Sequence, residues 1–138
     1  MRAVVLDTNV VVSALRSQRG AAFRLLSLVG SGRFEHCMSV ALAFEYEDAV
    51  TRPGIRLPRP VVEDILDFLC ASARKVKIHF LWRPTLADPN DDMVLEVAVC
   101  GGCEAIVTYN IRDFRGSGAF GVTAIRPQRF LTMIGAEK

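Results

Sequence analysis

A chain of 138 residues has the length of one domain, since domains commonly take about 100–150 residues. With 51% hydrophobic and 23% charged residues, the composition excludes an intrinsically disordered chain. The net charge of +2 is too small to predict or exclude a nucleic-acid partner by itself. No apolar run reaches the roughly 18 residues of a membrane span, and Asp7 interrupts what would be the apolar part of a signal peptide. We therefore expect one soluble, cytoplasmic domain covering residues 1–138.

The first predicted element is a strand at residues 3–6, in which every side chain is apolar. Such runs are typical of strands that are buried on both faces of a parallel sheet. Asp7 follows at the carboxyl end of this strand, where open α/β sheets bind their ligands. Asp7, Thr8 and Asn9 are also residue types that turn the chain and cap a following helix. These few residues leave both interpretations open.

Helical and strand patterns alternate along the rest of the chain. Apolar spacing and capping residues predict helices after Asn9 and at residues 21–29, 41–51, 60–70, 88–100 and 127–133. Short apolar or alternating runs predict strands at residues 34–40, 76–80, 105–107 and 122–125, and residues 109–118 read as a polar loop. Strands that alternate with helices are typical of βαβ units. We therefore predict an α/β fold, a three-layer α/β/α sandwich with a mainly parallel central sheet.

The chain has four cysteines, Cys37, Cys70, Cys100 and Cys103. Cys100 and Cys103 have the spacing of a redox pair or of half a zinc site. A redox pair normally opens a helix, whereas this pair stands at a predicted helix end, with Gly101 and Gly102 as the stop. A zinc site would need two more ligands, and His36 and His79 show no suitable spacing. We expect buried, reduced thiols.

Acidic side chains recur at positions that this topology would bring to one edge of the sheet. Asp7 and Asp113 follow predicted strands, and Glu45, Asp91 and Asp92 lie on helices that follow strands. Clustered carboxylates cannot all be ionised without a counter-cation, and Mg²⁺ and Mn²⁺ prefer such oxygen ligands. With only two histidines in the chain, metal-assisted hydrolysis is favoured over a histidine base. The chemistry alone indicates a metal-dependent phosphoesterase or nuclease.

Four segments of the chain, in order, resemble the motifs of PIN-domain ribonucleases. They are residues 4–11, Ser39-x-x-Leu42-x-x-Glu45 followed by Arg52-Pro53, residues 88–92 leading to Gly101-Gly102, and residues 106–114. The stretch Pro127-x-x-Phe130-Leu131 is similar to the usual ending of this family. The resemblance is closest to the VapC-like toxin components of toxin–antitoxin pairs. It implies an endoribonuclease that depends on Mg²⁺ or Mn²⁺, often forms a homodimer, and is held inactive by an antitoxin protein.

The resemblance also implies which residues form the site. The catalytic and metal-binding acids would be Asp7, Glu45, Asp91 and Asp113. Asp91 shares a helix face with Leu95 and Ala98 and is expected to point inward, with Asp92 as the alternative metal ligand and Asp88 as the helix cap.

Four neighbouring polar residues are assigned supporting roles. Thr8, Asn9 and Thr108 are expected to orient carboxylates or water. Asn110, an acid in some relatives, is expected to hydrogen-bond a ligand or water. Several arginines also lie near these motifs, and by default they are interpreted as solvated surface residues: Arg52, Arg56, Arg59, Arg112 and Arg115. If they rim the pocket, they would hold RNA phosphates. Trp82 and Phe114 would either stack on a base or lie in the core.

Two other functions compete with the nuclease. Asp7-x-Asn9 resembles the nucleophile loop of haloacid-dehalogenase-type phosphatases, although Asn9 stands where those enzymes carry a second acid, and Glu45 would have no role. A non-catalytic binding module with a decayed site is the other alternative. The sequence offers it no support, because no expected acid is missing.

Overall fold

The computed structural model describes residues 1–79, 86 and 88–136. The strands are β1 (Arg2–Leu6), β2 (Phe34–Met38), β3 (Arg74–Lys75), β4 (Ala105–Val107) and β5 (Thr123–Ile125). The α-helices are α1 (Thr8–Arg16), α2 (Ala21–Ser27), α3 (Val40–Val50), α4 (Arg59–Ser72), α5 (Pro89–Cys100) and α6 (Pro127–Met133). Among the described residues, no helix is long and apolar enough to cross a membrane.

The strands form one five-stranded sheet in the order β3-β2-β1-β4-β5, and every neighbouring pair is parallel. The chain runs outward from β1 to β2 and β3, and then returns to β4 and β5 on the other side of β1. Because βαβ crossovers are right-handed, this reversal places α1 to α4 on one face of the sheet and α5 on the other. The predicted three-layer α/β fold with a parallel sheet is confirmed.

The core lies on both faces of the central strand. Val4, Val5 and Leu6 are completely buried, as expected for an apolar run inside a parallel sheet. The rings of Phe34 and Phe130 meet edge to face at 5.4 Å, so that α6 is anchored against β2. Burying each such large side chain stabilises the fold by about 1.5–3 kcal/mol, so these contacts hold the sheet that carries the site.

The third strand lies earlier in the chain than its alternating sequence predicts. β3 covers only Arg74 and Lys75, and the amide of Val76 adds one further hydrogen bond to the carbonyl of Met38 (2.8 Å). Its partner β2 stops at Met38, because Ser39 caps α3 by accepting from the Leu42 amide (3.1 Å). The side chains at residues 76–79 still alternate in burial, but within the described part of the chain these residues belong to no strand. Residue 80, the predicted end of this strand, lies outside the described residues.

Two other predicted boundaries change. The strand expected at residues 34–40 ends at Met38 for the same reason, and Val40 is the first residue of α3. The segment expected to be a loop contains two short 3-10 helices, Ile111–Phe114 and Ser117–Phe120. Each is held by backbone bonds such as that from the Asp113 amide to the Asn110 carbonyl (3.0 Å). Helices of one turn are too short to show a repeating spacing of apolar residues, so the sequence pattern could not reveal them.

The ends of α5 follow the sequence closely. Asp88 is the N-cap, and its side chain accepts a 2.9 Å hydrogen bond from the Asn90 amide. At the other end Gly102 adopts φ +65°, and the amide of Cys103 bonds the Ala98 carbonyl (2.8 Å). This left-handed stop is the reason that glycine is needed there. The predicted cap and the predicted stop are both confirmed.

All four cysteines are free thiols in the structure. Cys37 and Cys103 are buried, as expected, whereas Cys70 and Cys100 are only partly buried. The expectation of buried thiols therefore holds for two of the four positions.

Candidate active site

The site lies where the strand order reverses. β1 and β4 are neighbours, with Leu6 opposite Val107, but their following segments depart in different directions. In open α/β sheets, this divergence leaves a crevice at the carboxyl ends of the strands. Asp7 follows β1 and Thr108 follows β4, so both residues stand at the bottom of the crevice.

Asp7 combines the two roles that the sequence left open. Its Oδ1 accepts a 2.8 Å hydrogen bond from the Thr8 amide, as an N-cap of α1. Its Oδ2 accepts a 2.7 Å bond from the hydroxyl of Thr108. The residue is only 7% exposed. Asp7 therefore starts a helix and presents a nearly buried carboxylate, in a fixed orientation, to the crevice.

Thr108 connects the polar groups around this carboxylate. A hydroxyl has one proton to donate and two lone pairs to accept with. Thr108 donates to Asp7 and accepts from the Asn110 amide (2.9 Å) and from the side-chain Nδ2 of Asn9 (3.5 Å). The Oδ1 of Asn9 in turn accepts from the Tyr109 amide (3.4 Å). The network ties the start of α1 to the segment that follows β4.

The crevice opens into a pocket of about 460 Å³. The four acids assigned as catalytic and three of the four supporting residues line this pocket: Asp7, Glu45, Asp91, Asp113, Thr8, Asn9 and Asn110. Asp88 and Asn90, at the start of α5, and two arginines, Arg16 and Arg52, also line it. Four separate parts of the chain thus bring their acids to one pocket, as the sheet topology predicts.

The carboxylates act on one another electrostatically. Burial raises the pKa of Asp7, although its hydrogen bonds from Thr108 and Thr8 oppose the shift, and the charges of Asp113 and Glu45 raise it further. The pKa of Asp91 rises to about 7, first through burial and then through the charges of Asp7 and Asp113. Mutual repulsion of this kind is typical of acids that share a functional site.

Asp91 and Asp92 occupy different environments. Asp91 faces the pocket, whereas Asp92 is 2% exposed and is absent from the lining. The Oδ1 of Asp92 accepts a 2.8 Å hydrogen bond from the amide of Leu86, which holds the backbone of Leu86 against the start of α5. The geometry therefore favours Asp91 over Asp92 as the pocket acid of the third motif, and Asp92 has a structural task instead.

A family model for the PIN domain matches residues 3–112 of the chain. The chain belongs to the PIN domain family. The resemblance read from its motifs is therefore confirmed, and membership supports a hydrolase of the nuclease class. No curated protein sequence matches the chain significantly.

The fold of this PIN domain is shared with a solved crystal structure. This is the crystal structure of VapBC2 from Rickettsia felis bound to a DNA fragment from the VapBC2 promoter. It superposes on the present chain with a TM-score of 0.62. The match covers 88% of this chain and 98% of the other, at 15% sequence identity. At that identity the match shows that the two chains have the same fold.

The donor atoms of the pocket decide whether the PIN domain can take a metal ion. The lining offers carboxylate, amide and hydroxyl oxygens, which are the ligands that Mg²⁺ and Mn²⁺ prefer. Within the described ranges, no three His, Cys, Asp or Glu side chains are placed to hold one ion directly. Mg²⁺ commonly takes only one or two protein carboxylates and keeps several waters. The donor set therefore fits a hydrated divalent cation.

The arginines and aromatic side chains considered as RNA contacts lie in different places in the structure. Arg52 lines the pocket, with its Nη2 4.0 Å from Glu45 and 2.7 Å from Asp48. The other arginines of that group, Arg56, Arg59, Arg112 and Arg115, are not among the described lining residues. Phe114 is 1% exposed and belongs to the core, so it is not available for stacking. Trp82 lies outside the described residues.

Sequence reasoning missed two residues next to the site. Tyr46 is completely buried, and its hydroxyl donates to the carbonyl of Leu6, the last residue of β1. Burial raises its pKa well above the ordinary value of 10, so the hydroxyl remains a donor. Arg16 lines the pocket at the end of α1, seven residues after Asn9, and this helical spacing is a signal that could have been used.

Proposed function

We propose that this PIN domain is a Mg²⁺- or Mn²⁺-dependent endoribonuclease that hydrolyses phosphodiester bonds of single-stranded or looped RNA. The observation that carries the proposal is the convergence of Asp7, Glu45, Asp91 and Asp113 in one pocket at the switch point of the sheet. The charges of neighbouring acids raise the pKa values of Asp7 and Asp91, and a divalent cation would relieve that repulsion. Membership of the PIN domain family supports the same reaction class.

The four acids have distinct places in this proposal. Asp7 and Asp91 would be the central ligands, because their pKa values are raised by burial together with neighbouring charge. Glu45 and Asp113 line the same pocket and would complete the site directly or through water. When bound, the cation supplies the activation of a water nucleophile and the stabilisation of charge on the phosphodiester.

The other pocket residues hold this arrangement in place. Thr108 fixes the orientation of the Asp7 carboxylate, and Asn9 and the Asn110 amide fix the hydroxyl of Thr108. Tyr46 holds the backbone one residue before Asp7. Supporting hydrogen bonds of this kind orient ligands and are often needed for full metal affinity.

The pocket argues against the two competing functions. A phosphatase that used Asp7 as its nucleophile would have no task for Glu45, yet Glu45 lines the pocket together with Asp7. A non-catalytic module would not need to hold several carboxylates in mutual repulsion, which costs stability. The metal-dependent nuclease uses all of them.

We further propose that the protein is the toxin of a toxin–antitoxin pair, acting in the cytoplasm as a single domain and as a homodimer. The shared fold with VapBC2 supports this proposal, together with the motif order of residues 4–11 to 106–114. Its partner would be a protein antitoxin that keeps it inactive.

Cleavage of defined RNA by the purified protein tests the enzymatic proposal. We expect cutting with Mg²⁺ or Mn²⁺ and none with EDTA, and we expect sequencing of the new RNA ends to show internal cuts. Asp7→Asn should abolish cutting, whereas Asp64→Asn, at an exposed acid on α4, should not. Cleavage that survives EDTA or Asp7→Asn would refute the mechanism.

Expression in cells tests the toxin proposal separately. Induction of the wild type should arrest growth, Asp7→Asn should not, and co-expression with the product of the neighbouring gene should restore growth. Sedimentation analysis of the purified protein should give the mass of two chains. Growth unaffected by an active nuclease would rule out the toxin role alone.

A further inference from the structure

One face of α1 forms a wall of the active-site pocket. Its members are Asn9, Val12, Ser13 and Arg16, which follow the spacing i, i+3, i+4 and i+7 of a single helix face. The helix begins directly after Asp7, and its nine residues extend for about 13 Å at 1.5 Å per residue. This wall therefore runs away from the carboxylates and ends at a cation.

The wall contributed by α3 has the same polarity. Glu45, Ala49 and Arg52 line the pocket at spacings of four and three residues, with Arg52 just past the C-cap Thr51. α1 and α3 follow neighbouring parallel strands and contact each other, so both walls run in the same direction. The pocket is a trough that begins at Asp7 and ends, on the α1 wall, at Arg16, while on the α3 wall Arg52 remains within 4.0 Å of Glu45.

The two arginines differ in their partners. Arg52 donates a 2.7 Å hydrogen bond to Asp48, so part of its charge is already paired. In the part of the chain that the structure describes, the side chain of Arg16 has neither a hydrogen bond nor an ion pair, although it lines a pocket rich in acids. Its guanidinium lies against Gly54, where an added Cβ would stand 3.3 Å from Nη2. Such an unpaired guanidinium is suited to bind a phosphate, because its planar donors match two phosphate oxygens.

We propose that Arg16 binds a phosphodiester of the RNA strand that flanks the cleaved bond, so that the substrate lies along the trough from the carboxylates to the end of α1. This inference rests on the proposed ribonuclease function. A stacked strand places its phosphates about 3.4 Å apart along the axis, so a trough of about 13 Å takes more than one nucleotide. Arg16 is thus a positioning residue for a segment of RNA, away from the reacting atoms.

Kinetics of Arg16→Gln test this proposal against a matched control. Removing one charged hydrogen-bonding interaction should raise KM roughly tenfold and leave kcat within about twofold. The slope of log KM against log salt concentration should decrease by about 0.7, the change expected when one phosphate fewer of a single strand is neutralised. Arg19→Gln removes an exposed arginine three residues later that does not line the pocket, and it should leave KM unchanged. Arg16→Lys should restore part of the affinity, because it keeps the charge.

Substrates with a single neutral methylphosphonate linkage locate the phosphate that Arg16 binds. At one position flanking the cut, the neutral linkage should raise KM for the wild type and have no effect on Arg16→Gln. Identical methylphosphonate profiles for the two proteins would overturn the inference, as would an equal loss of affinity in Arg19→Gln. Failure of the proposed function looks different, because it would be seen as an absence of metal-dependent cleavage in the wild type itself.

Discussion

The hydroxyl of Thr108 donates a 2.7 Å hydrogen bond to Oδ2 of Asp7 and so joins the ends of β4 and β1. A hydrogen bond to the charged form of a carboxylate favours that form. Here it opposes the effect of burial, which raises the pKa of Asp7. The hydrogen bond therefore both orients the carboxylate and helps to keep it ionised and able to hold a cation.

Thr108→Val should impair the site and weaken the fold. The variant leaves Oδ2 of Asp7 and the Asn110 amide without this partner, so we expect the free energy of unfolding to fall by about 1–3 kcal/mol. Cleavage should fall by about 10–100-fold through weaker metal binding. Urea unfolding and the Mn²⁺ dependence of cleavage measure the two effects. Thr108→Ser keeps the hydroxyl and should stay close to the wild type. Equal losses in the two variants would contradict this role of the hydroxyl, because Thr108→Ser retains it.

Asp7→Asn should abolish the stabilisation of the folded protein by divalent metal ions. Mn²⁺ at a hundred times its Kd should stabilise the wild type by about 2.7 kcal/mol, because only the folded state binds it. The variant should gain nothing from Mn²⁺. Without metal it should be at least as stable as the wild type, because a carboxylate under repulsion from Asp113 and Glu45 has been neutralised.

Thermal unfolding with and without Mn²⁺ makes this comparison. Asp64→Asn should respond to Mn²⁺ like the wild type, because Asp64 is exposed on α4. An equal rise in Tm for Asp7→Asn and the wild type would contradict the metal site.

Neutralising Asp91 and Asp92 should have opposite consequences. Asp91→Asn removes a pocket carboxylate and should abolish cleavage with little loss of stability. Asp92→Ala leaves the buried Leu86 amide without its acceptor and should cost about 1–3 kcal/mol of stability. Cleavage assays and urea unfolding of both variants separate the two roles. A stable but inactive Asp92→Ala protein, beside an active Asp91→Asn protein, would reverse the assignment.

His36 should make the fold sensitive to mild acid. It is 2% exposed on β2, and burial lowers its pKa from 6.5 to about 4. Between these two values the unfolded chain binds a proton that the folded chain does not, so stability falls as the pH falls from 6.5 towards 4. This difference in the pKa of His36 between the folded and unfolded chains lowers the free energy of unfolding by up to about 3 kcal/mol at pH 4. Above pH 6.5 the histidine is neutral in both states, and this loss of stability disappears.

Urea unfolding between pH 4 and 7 tests this prediction. His36→Gln should show a shallower dependence of stability on pH than the wild type. His79→Gln, at an exposed histidine, should keep the dependence of the wild type. An unchanged slope in His36→Gln would assign the acid sensitivity to other groups.

Local features of the fold were predictable because they depend on neighbours in the chain. The buried strand before Asp7, the cap at Asp88 and the glycine stop after α5 each follow from a few adjacent residues. The alternation of strands and helices then implied a parallel sheet, and with it the edge to which Asp7, Glu45, Asp91 and Asp113 converge.

Other features required contacts between distant segments. The bounds of β3 depend on where β2 ends, and the partner of Tyr46 lies forty residues earlier in the chain.

The sequence by itself determined which residue types meet at the end of β1, because sheet topology follows from local pattern. The sequence favoured Asp91 and kept Asp92 as the alternative, and only the tertiary structure decided between them. Both lie in the first turn of α5, where buried side chains surround most of the helix, so the sequence carries no clear polar face. What turns Asp91 to the pocket and Asp92 to the Leu86 amide is the packing of α5 against the sheet. The position of Arg16 on the wall of the same pocket as Glu45 depends in the same way on the packing of α1 against α3.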